Sequence, residues 1–514
     1  MSGQPYYITT AISYPNGKPH IGHAYEAIVT DAIARFHRLS GRDVFFQTGT
    51  DEHGLKMVQT ARDKGIEVTS LSNEMSSLFR EMCDLLEISY DRFIRTTEPA
   101  HHAASQALWN AMEASGDLYL GRYEGWYSVR DEAFYDDKEL IEDPAGGEGK
   151  RLSPQGTPVE WTVEESWFFR LSKYEQPLLD HFSAHPEFIR PESRLNEVLR
   201  FVEGGLSDLS VSRTSFDWGV KVPGGGGHVM YVWVDALTNY LTGVGYPDND
   251  VDYAKFWPAD LHVIGKDIVR FHTVYWPAFL LSAGIALPKQ VFGHGFLLAR
   301  GGEKMSKSLG NVVDPVDLVE LFGVDALRYF LLREVSFGSD GSYSPEAIVT
   351  RVNADLANNF GNLAQRSLSM IAKNCEGVVP NPGASTLAEL QLFEAITAAD
   401  KAASAAMHGL ALNTALEAIW QGMSAANLYF AEQAAWTVRK TDPTRADTIL
   451  YFTLEAVRRL AILASWAIPG GCAKILTLLG QPASPSFADL DIPINPGTPL
   501  PTPVGAFPRL ELPA

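Results

Sequence analysis

The sequence predicts an α/β protein in which a doubly wound parallel sheet is split by an insertion and is followed by an α-helical bundle. Strand and helix patterns alternate over residues 5–54. Short, aromatic-rich extended segments interrupt this alternation from about 119 to 222, and it resumes at 228. After about 350 the glycine content falls and apolar residues recur at spacings of three and four, which is the period of an α-helix.

Turn residues and helix-end residues mark the boundaries of the first elements. YYITTAISYPNG, residues 6–17, predicts a β-branched and aromatic strand that runs into a turn. HAYEAIVTDAIARFHRLSG predicts an amphipathic helix that ends at Gly41, and DVFFQTGTDEHG predicts a buried strand with a polar loop after it. Strand, helix and strand in this order indicate a Rossmann-type sheet whose site lies at the carboxyl ends of its strands.

Changes in composition give the expected domain boundaries. The sheet domain is expected in two halves, the helices after it form one bundle, and the proline-rich end is expected to lie extended on the surface. The expected ranges are 1–118 for the first half of the sheet domain, 119–227 for the insertion, 228–298 for the second half, 299–350 for a lysine-containing loop and linking region, 351–490 for the bundle and 491–514 for the tail.

Composition excludes several classes of protein. The 514 residues include 62 acidic and 42 basic side chains, and the net charge of −20 argues against a protein that coats nucleic acid non-specifically. Cys83, Cys375 and Cys472 are too scattered for a disulfide framework or a CxxC metal pair. No apolar run approaches the ~20 residues of a membrane span. We expect a soluble, reduced, cytoplasmic protein without a membrane partner.

Two short motifs place imidazoles and ammonium groups after strands. KPHIGHA puts His20 and His23 three residues apart at a helix start, where amides and imidazoles suit phosphate or ribose oxygens. GGEKMSKSLGN puts Lys304 and Lys307 three apart, where both can approach one polyphosphate. Each motif alone also fits an exposed turn. Together, one after the first strand and one after the last, they indicate a single site.

The two motifs carry a family resemblance. PHIGH and KMSKS, in this order and on this topology, resemble the paired signatures of class I aminoacyl-tRNA synthetases, and the insertion resembles their connective peptide. Its size of about 100 residues is that of one small domain and leaves no room for a large editing domain. Further blocks are similar to the methionyl-tRNA synthetase family: ITTAISYPNGKPHIGHA, FFQTGTDEHG, YVWVDALTNY, VIGKDIVRFHTVYWPA and RVNADLANNFGNLAQR.

The resemblance assigns substrate residues. A thioether chain needs a polarizable aromatic pocket, which Tyr14, Trp233, Tyr240 and His272 supply, and Asp51 can pair with the substrate ammonium. For any one of these aromatics alone, core packing would be favoured; the four within matching blocks favour a pocket. By resemblance, Ala11, Ile12, Ala236 and Ile268 complete the methionine site, and the ATP residues are His20, Gly22, His23, Gly265, Lys266, Asp267, Lys304 and Lys307.

The reaction implied by the resemblance has two steps. The methionine carboxylate attacks the α-phosphate of ATP and releases pyrophosphate, and the adenylate then esterifies the terminal adenosine of tRNA(Met). No side chain need act as a nucleophile, so His20, His23, Lys304 and Lys307 are expected to act by positioning and electrostatics. Mg²⁺ is expected to bridge the ATP phosphates.

The bundle is expected to bind the tRNA anticodon. RVNADLANNFGNLAQR places Asn358, Asn362 and Arg366 at steps of four, hence along one helix face, and Trp436 offers a stacking surface for a base. Without the resemblance, a solvated polar stripe and a packed tryptophan would be favoured. In the family, positions of this motif contact the anticodon.

The sequence departs from the family pattern in the insertion, where many members bind zinc through cysteines. Ser128, Asp131 and Ser153 stand where thiolates are expected, and a structural zinc site needs soft, closed ligands. We expect no zinc. The appended C-terminal domain that often dimerises also has no counterpart after the bundle, so a monomer is expected.

Two other classes of protein share parts of the pattern. A small-molecule nucleotidyltransferase has a similar histidine site and lysine loop, but it does not need a helical half with a polar row. A catalytically silent sensor of methionine or ATP would be expected to have lost a signature lysine or Asp51, and all are present.

Overall fold

A six-stranded parallel sheet forms the centre of the N-terminal half of the protein. The computed structural model describes residues 3–130, 133–143, 150–248, 250–298, 303, 305 and 311–512. In spatial order the strands are β3 (Arg92–Arg95), β2 (Asp43–Thr50), β1 (Pro5–Thr10), β13 (Leu261–Gly265), β14 (Val291–His294) and β9 (Ile189–Arg190). Every pair of neighbours is parallel. The predicted doubly wound sheet is therefore confirmed, with its change of winding direction between β1 and β13.

Two hydrophobic cores lie on the two faces of the sheet. Alternate side chains of β1 enter different cores, as the pleat of a strand requires: Tyr6 and Ile8 belong to one, and Tyr7 belongs to the other. The helices of this domain are α1 (Ile21–Leu39), α2 (Leu55–Lys64), α3 (Val68–Leu85), α4 (Pro99–Ala114), α7 (Val232–Thr242), α8 (Asp250–Phe256) and α9 (Trp276–Ala283). Helices α1 and α3 contribute to the first core, and α4, α7 and α9 contribute to the second.

The predicted insertion contains an antiparallel sheet of its own. Its spatial order is β10 (Leu209–Ser210), β8 (Glu160–Phe169), β4 (Leu118–Ser128) and β5 (Ala133–Tyr135). The other strands and α-helices of this region are β6 (Ile141–Glu142), β7 (Arg151–Leu152), α5 (Glu175–Ala184), α6 (Glu192–Glu203) and β11 (Ser212–Arg213), and β11 pairs with β12 (Val229–Met230), which follows the predicted end of the insertion. Strand β9 also falls within 119–227 but pairs with β14, so the chain returns to the main sheet before the predicted insertion ends.

A linking region joins the sheet to a helical bundle. The linking elements are β15 (Leu297–Leu298), α10 (Pro315–Phe322), α11 (Val324–Glu334), β16 (Gly341–Ser342) and α12 (Pro345–Val352). The bundle consists of a π-helical segment at Asn353–Gly361 and of α13 (Asn362–Asn374), α14 (Leu387–His408), α15 (Leu412–Gln433), α16 (Ala435–Val438), α17 (Pro443–Ala464) and α18 (Pro469–Leu478). The predicted helical bundle is thus confirmed.

A buried arginine fixes the bundle against the sheet. Arg328 of α11 has no exposed surface and donates to the Asp31 carboxylate of α1 at 2.6 Å. It also donates to the carbonyl oxygens of Leu86, at 3.1 Å, and Ala467, at 3.0 Å. Because a buried guanidinium must be fully hydrogen-bonded, this contact specifies one arrangement of the sheet domain, linking region and bundle.

The C-terminal segment runs back along the bundle. It forms backbone hydrogen bonds from Val379 to Thr498 at 2.9 Å and from Leu500 to Gly377 at 2.8 Å. Further along, the amide of Leu510 donates to the Asn353 side chain at 2.8 Å. Within the described part of the chain, none of the helices combines the length and the apolar character needed to cross a bilayer.

Candidate active site

A cavity of about 460 Å³ opens where the sheet changes winding direction. Its wall is made by residues that follow β1, β2 and β13 and by residues of α1 and α7. All nine residues assigned to methionine line it: Ala11, Ile12, Tyr14, Asp51, Trp233, Ala236, Tyr240, Ile268 and His272. Four of the residues assigned to ATP line it as well: His20, His23, Gly265 and Asp267. The two sets of side chains, from distant parts of the sequence, therefore share one site.

The start of α1 brings the two signature histidines together. His20 is the N-cap residue, and its Nδ1 accepts a hydrogen bond from the Gly22 amide at 3.1 Å. The Nδ1 of His23 accepts from the His20 amide at 3.2 Å, and the rings stack with centroids 3.8 Å apart. Because both Nδ1 atoms accept, the proton of each neutral ring lies on Nε2. A helix N-terminus with two such donors suits an anionic ligand.

Gly22 is needed for the shape of this turn. It does not line the cavity, but a Cβ added there would lie only 2.9 Å from the Cε1 atom of the His20 ring. A side chain would therefore displace the ring. The structure gives Gly22 a steric function beside the histidines.

An aromatic wall forms the other end of the cavity. Trp233 stacks on Phe271 with centroids 3.8 Å apart, and the Tyr240 hydroxyl lies 2.7 Å from His272 Nε2. His272 Nδ1 lies 3.0 Å from the Ile268 carbonyl oxygen. Since a carbonyl only accepts, Nδ1 carries the proton and Nε2 accepts from the Tyr240 hydroxyl. Burial lowers the pKa of His272 to about 4, so the wall is uncharged at neutral pH and fits an apolar, polarizable side chain.

The helix that supplies part of this wall is irregular. Residues Phe271–Tyr275 are π-helical and pass into α9. π-Helical turns occur frequently at functional sites because they place an extra side chain on one face. Here the turn directs both Phe271 and His272 into the cavity wall.

Asp51 lies in a loop whose position is fixed by its neighbours. Its amide donates to the Ser13 carbonyl oxygen at 2.9 Å, and its side chain is almost fully buried at the cavity wall. The next residue, Glu52, is buried and accepts two hydrogen bonds from Arg95, at 2.6 and 2.9 Å. A carboxylate held in this way can pair with a substrate ammonium without a large reorganisation.

The remaining ATP residues have different positions. The Lys266 ammonium lies 2.7 Å from an Asp340 carboxylate oxygen and packs on the Phe296 ring, and it does not line the cavity. Lys304 and Lys307 lie outside the described residues, so their predicted functions stay predictions.

Part of the cavity wall was not predicted from the sequence, above all Glu26. It lies three residues after His23 on α1 and lines the cavity, so helical spacing was the signal that could have found it. Its carboxylate accepts from His294 Nε2 at 2.8 Å, and His294 Nδ1 donates to the Gly295 carbonyl oxygen. Burial lowers the pKa of His294, but the hydrogen bond and charge of Glu26 outweigh it, and the pKa lies above its usual value. Other unassigned wall residues are Ser13, Lys56, Arg130, Gln155, Val232, Leu237, Asn239 and Phe271.

The residues predicted to bind the anticodon lie on the surface of the bundle. Asn358, Asn362 and Arg366 are exposed, and the Arg366 guanidinium lies 5.4 Å from the centre of the Trp436 ring. The indole is 42 % exposed. Asn358 falls in the π-helical segment and the other two in α13, so the row predicted for one helix face spans a change of helix type. A wider helical turn separates Asn358 from Asn362 than an α-helix would give.

Hydroxyl groups fill the place where the family resemblance suggests zinc ligands. Thr157 Oγ1 lies 2.7 Å from Ser128 Oγ and 2.8 Å from Ser153 Oγ, and all three side chains are buried. Asp131 lies outside the described residues. Among the residues that the structure describes, no group of three or more His, Cys, Asp or Glu side chains could hold a metal ion.

Comparison with protein families agrees with this geometry. Residues 6–368 match the model of the class I tRNA synthetases of the methionine type (M). Residues 379–495 match the model of the anticodon-binding domain of methionyl tRNA ligase. The first match covers the sheet, insertion and linking region, and the second covers most of the bundle.

Individual relatives match over nearly the full length. The methionine–tRNA ligase of Brucella suis biovar 1 (strain 1330) is 58 % identical over 99 % of this chain and 98 % of its own length. That of Mycobacterium tuberculosis (strain ATCC 25618 / H37Rv) is 57 % identical over 99 % of both chains. The structure of Mycobacterium tuberculosis methionyl-tRNA synthetase in complex with methionyl-adenylate superposes with a TM-score of 0.95 at 57 % identity, covering 98 % of this chain and 100 % of that one. The chain therefore belongs to the methionine–tRNA ligase family of class I aminoacyl-tRNA synthetases.

Proposed function

We propose that this ligase activates L-methionine with ATP in the cavity described above and transfers the methionyl group to the 3′-terminal adenosine of tRNA(Met). The observation that carries the proposal is the composition of the cavity wall. An uncharged aromatic pocket, a buried carboxylate and two histidines at a helix start share one space of about 460 Å³. The side chain and the ammonium group of methionine and the phosphates of ATP thus each have a complementary part of the cavity wall.

The aromatic end is assigned to methionine. Trp233, Tyr240 and His272 surround the thioether, and Ala11, Ile12, Ala236 and Ile268 complete the apolar wall. Asp51 binds the ammonium group. The Tyr240 hydroxyl donates to His272 Nε2 at 2.7 Å and gives this pocket a polar group in a fixed position. Because methionine is bound by both its side chain and its ammonium group, its orientation is fixed and its carboxylate can face ATP.

The histidine end is assigned to ATP. The Nε2–H groups of His20 and His23 bind phosphate or ribose oxygens, and Gly265 and Asp267 line the same cavity. The Glu26 carboxylate is placed to accept hydrogen bonds from hydroxyl groups of the nucleotide. Lys266 contacts ATP only if its ion pair with Asp340 opens.

The chemistry then needs no side-chain nucleophile. A methionine carboxylate oxygen attacks the α-phosphorus, the bond to the β-phosphate oxygen breaks, and pyrophosphate leaves. Lys304 and Lys307 stabilise the charge that develops on the phosphates. In the second step a hydroxyl of the terminal adenosine attacks the methionyl carbonyl carbon, and AMP leaves.

The bundle is assigned to the anticodon. Asn358 and Asn362 offer exposed amides to base edges, and Arg366 with Trp436 offers a guanidinium and an indole for stacking. Recognition of unstacked bases by such groups is usual for proteins that bind single-stranded RNA loops.

The proposed cofactor is Mg²⁺ bound to the ATP phosphates, where it supplies charge neutralisation. No zinc is proposed. The buried hydroxyl cluster of Ser128, Ser153 and Thr157 supports this, because hydroxyl groups are poor ligands for structural zinc. We further propose that the protein is cytoplasmic and monomeric, and sedimentation of the purified protein would test the oligomeric state.

The test is methionine-dependent exchange of pyrophosphate into ATP, without tRNA, against a panel of all amino acids. Exchange with methionine alone is expected. Asp51→Asn removes the partner of the ammonium group and is expected to lower kcat/KM for methionine about a hundredfold. The matched control is Asp63→Asn on the exposed surface of α2. Exchange driven by another amino acid, or none by a folded protein, would refute the proposal.

A further inference from the structure

A carboxylate without exposed surface lies directly behind the cavity wall. Asp235 is fully buried in α7 and is not one of the wall residues, although its neighbour Ala236 is. Its two oxygens have different partners. Oδ2 lies 2.6 Å from His53 Nδ1, and Oδ1 lies 2.6 Å from His101 Nε2. Both imidazoles are buried, so the three side chains form one enclosed polar cluster.

The cluster stabilises the charged form of the carboxylate. Burial raises the pKa of Asp235, but the two imidazoles outweigh burial, and the pKa lies below its usual value. The cluster continues through His101, whose Nδ1 lies 3.0 Å from the Thr242 hydroxyl. Breaking one contact of a buried charge leaves that charge uncompensated, so the contacts support one another.

The three residues come from three separate elements around the proposed methionine site. His53 lies two residues after Asp51, in the loop that follows β2. Asp235 lies in α7, the helix that carries the wall residues Trp233 and Tyr240. His101 lies in α4, which packs against α7 in the second core. The carboxylate thus connects the loop with the ammonium partner to the helix with the aromatic pocket.

The same loop is also fixed on its other side. The Glu52 carboxylate accepts from Arg95, at the end of β3, at 2.6 Å and from the Ser72 hydroxyl of α3 at 2.5 Å. The two residues that follow Asp51 are therefore anchored to different elements. Little freedom remains for Asp51 to change its distance from the aromatic wall unless one of these contacts breaks.

We propose that Asp235 is a positioning residue for amino-acid recognition, acting through His53 and His101 to set the distance between the Asp51 carboxylate and the aromatic pocket. It does not touch the substrate. This inference rests on the proposed methionine site and deepens it, because it explains how two parts of one substrate are recognised by elements far apart in sequence. A misplacement of about 1 Å at such a site costs on the order of a hundredfold in rate.

The first test is Asp235→Asn, which keeps the volume and removes the charge. In pyrophosphate exchange, KM for methionine is expected to rise at least about tenfold, as for other residues that orient a binding group, while KM for ATP stays within about twofold. The affinity for methionine, measured by calorimetric titration, should fall by the same factor. An equal change in both KM values, or no change in either, would overturn the inference.

Histidine variants provide matched controls that do not alter Asp235. An asparagine amide reaches the position of a histidine Nδ1, and a glutamine amide reaches that of Nε2. His53→Asn and His101→Gln are therefore expected to keep KM for methionine within about threefold, since each retains a donor to the carboxylate. His53→Leu and His101→Leu are expected to raise it as Asp235→Asn does. If the amide and leucine variants behave alike, the carboxylate contacts do not set the site.

If Asp235→Asn does not fold, the histidine variants still test the inference, because in each of them the Asp235 carboxylate keeps its contact with the other imidazole. Thermal unfolding of each variant checks that the compared proteins are folded. Exchange by the unaltered protein reports on the proposed function itself. Failure of that function and failure of this inference therefore give different results.

Discussion

The cavity and the proposed anticodon-binding surface of the bundle hold their side chains in opposite ways. In the cavity, Asp51, Tyr240 and His272 are buried, and the last two are locked to each other at 2.7 Å. On the bundle, Asn358 and Asn362 are exposed, and the contact of Arg366 with Trp436 forms at the surface. A buried site with fixed partners is built before its ligand arrives, whereas an exposed row adapts to a flexible RNA loop. Changes in the two regions should therefore affect different steps of the reaction.

The largest effect is expected for Lys307→Ala, which tests the proposed stabilisation of the ATP phosphates. The charge of this lysine is proposed to act mainly in the transition state, so adenylate formation should fall about a hundred- to a thousandfold while methionine binding is retained. Pyrophosphate exchange and calorimetry measure the two quantities. Lys401→Ala, on an exposed part of α14, is the control. Unchanged turnover would remove Lys307 from the mechanism.

An intermediate effect is expected for Trp436→Ala, which tests the exposed face. Stacking of a base on an aromatic ring contributes ~1–3 kcal/mol, so kcat/KM for tRNA charging should fall roughly ten- to a hundredfold. Exchange without tRNA should stay the same. Leu390→Ala removes another exposed apolar side chain of the bundle and should change neither. Equal losses in both assays would indicate a folding defect, and this variant would then not support the assignment of the two regions to different steps.

The smallest effect on activity is expected for Thr157→Val in the insertion. This change removes the hydroxyl that lies between Ser128 and Ser153 and leaves both buried, so the free energy of unfolding should fall by about 1–2 kcal/mol. Exchange should change little, and a metal chelator should not alter the unfolding temperature of the unmodified protein. Thr397→Val on an exposed helix position is the control. A chelator effect would contradict the hydroxyl cluster as the element that holds this region.

Much of the cavity could be predicted because its residues lie in short motifs directly after strands. Asp51 after β2 and His20 after β1 follow from strand, turn and helix patterns. The contacts behind them could not be predicted in this way. Asp235 and His53 are 182 residues apart, and Glu26 and His294 are 268 apart, so only the fold brings them together. The place of β9 at the edge of the main sheet could not be predicted either, since two residues of strand carry almost no periodic signal.

The type of helix could not be predicted from the sequence pattern either. Apolar spacing distinguishes a helix from a strand, but it does not distinguish an α-helical turn from a π-helical one. Both π-helical segments, Phe271–Tyr275 and Asn353–Gly361, lie at proposed binding surfaces. There the local backbone follows packing by distant side chains, such as the contact of Asn427 with Asn359 at 2.5 Å.

We propose that methionine is recognised by the cavity alone, without ATP or tRNA. A calorimetric titration of methionine into three proteins tests this: the unaltered chain, Asp51→Asn and Trp436→Ala. We expect one methionine per chain, with unchanged affinity in Trp436→Ala and no measurable binding in Asp51→Asn. Binding that survives in Asp51→Asn, or that is lost in Trp436→Ala, would contradict recognition by the cavity alone.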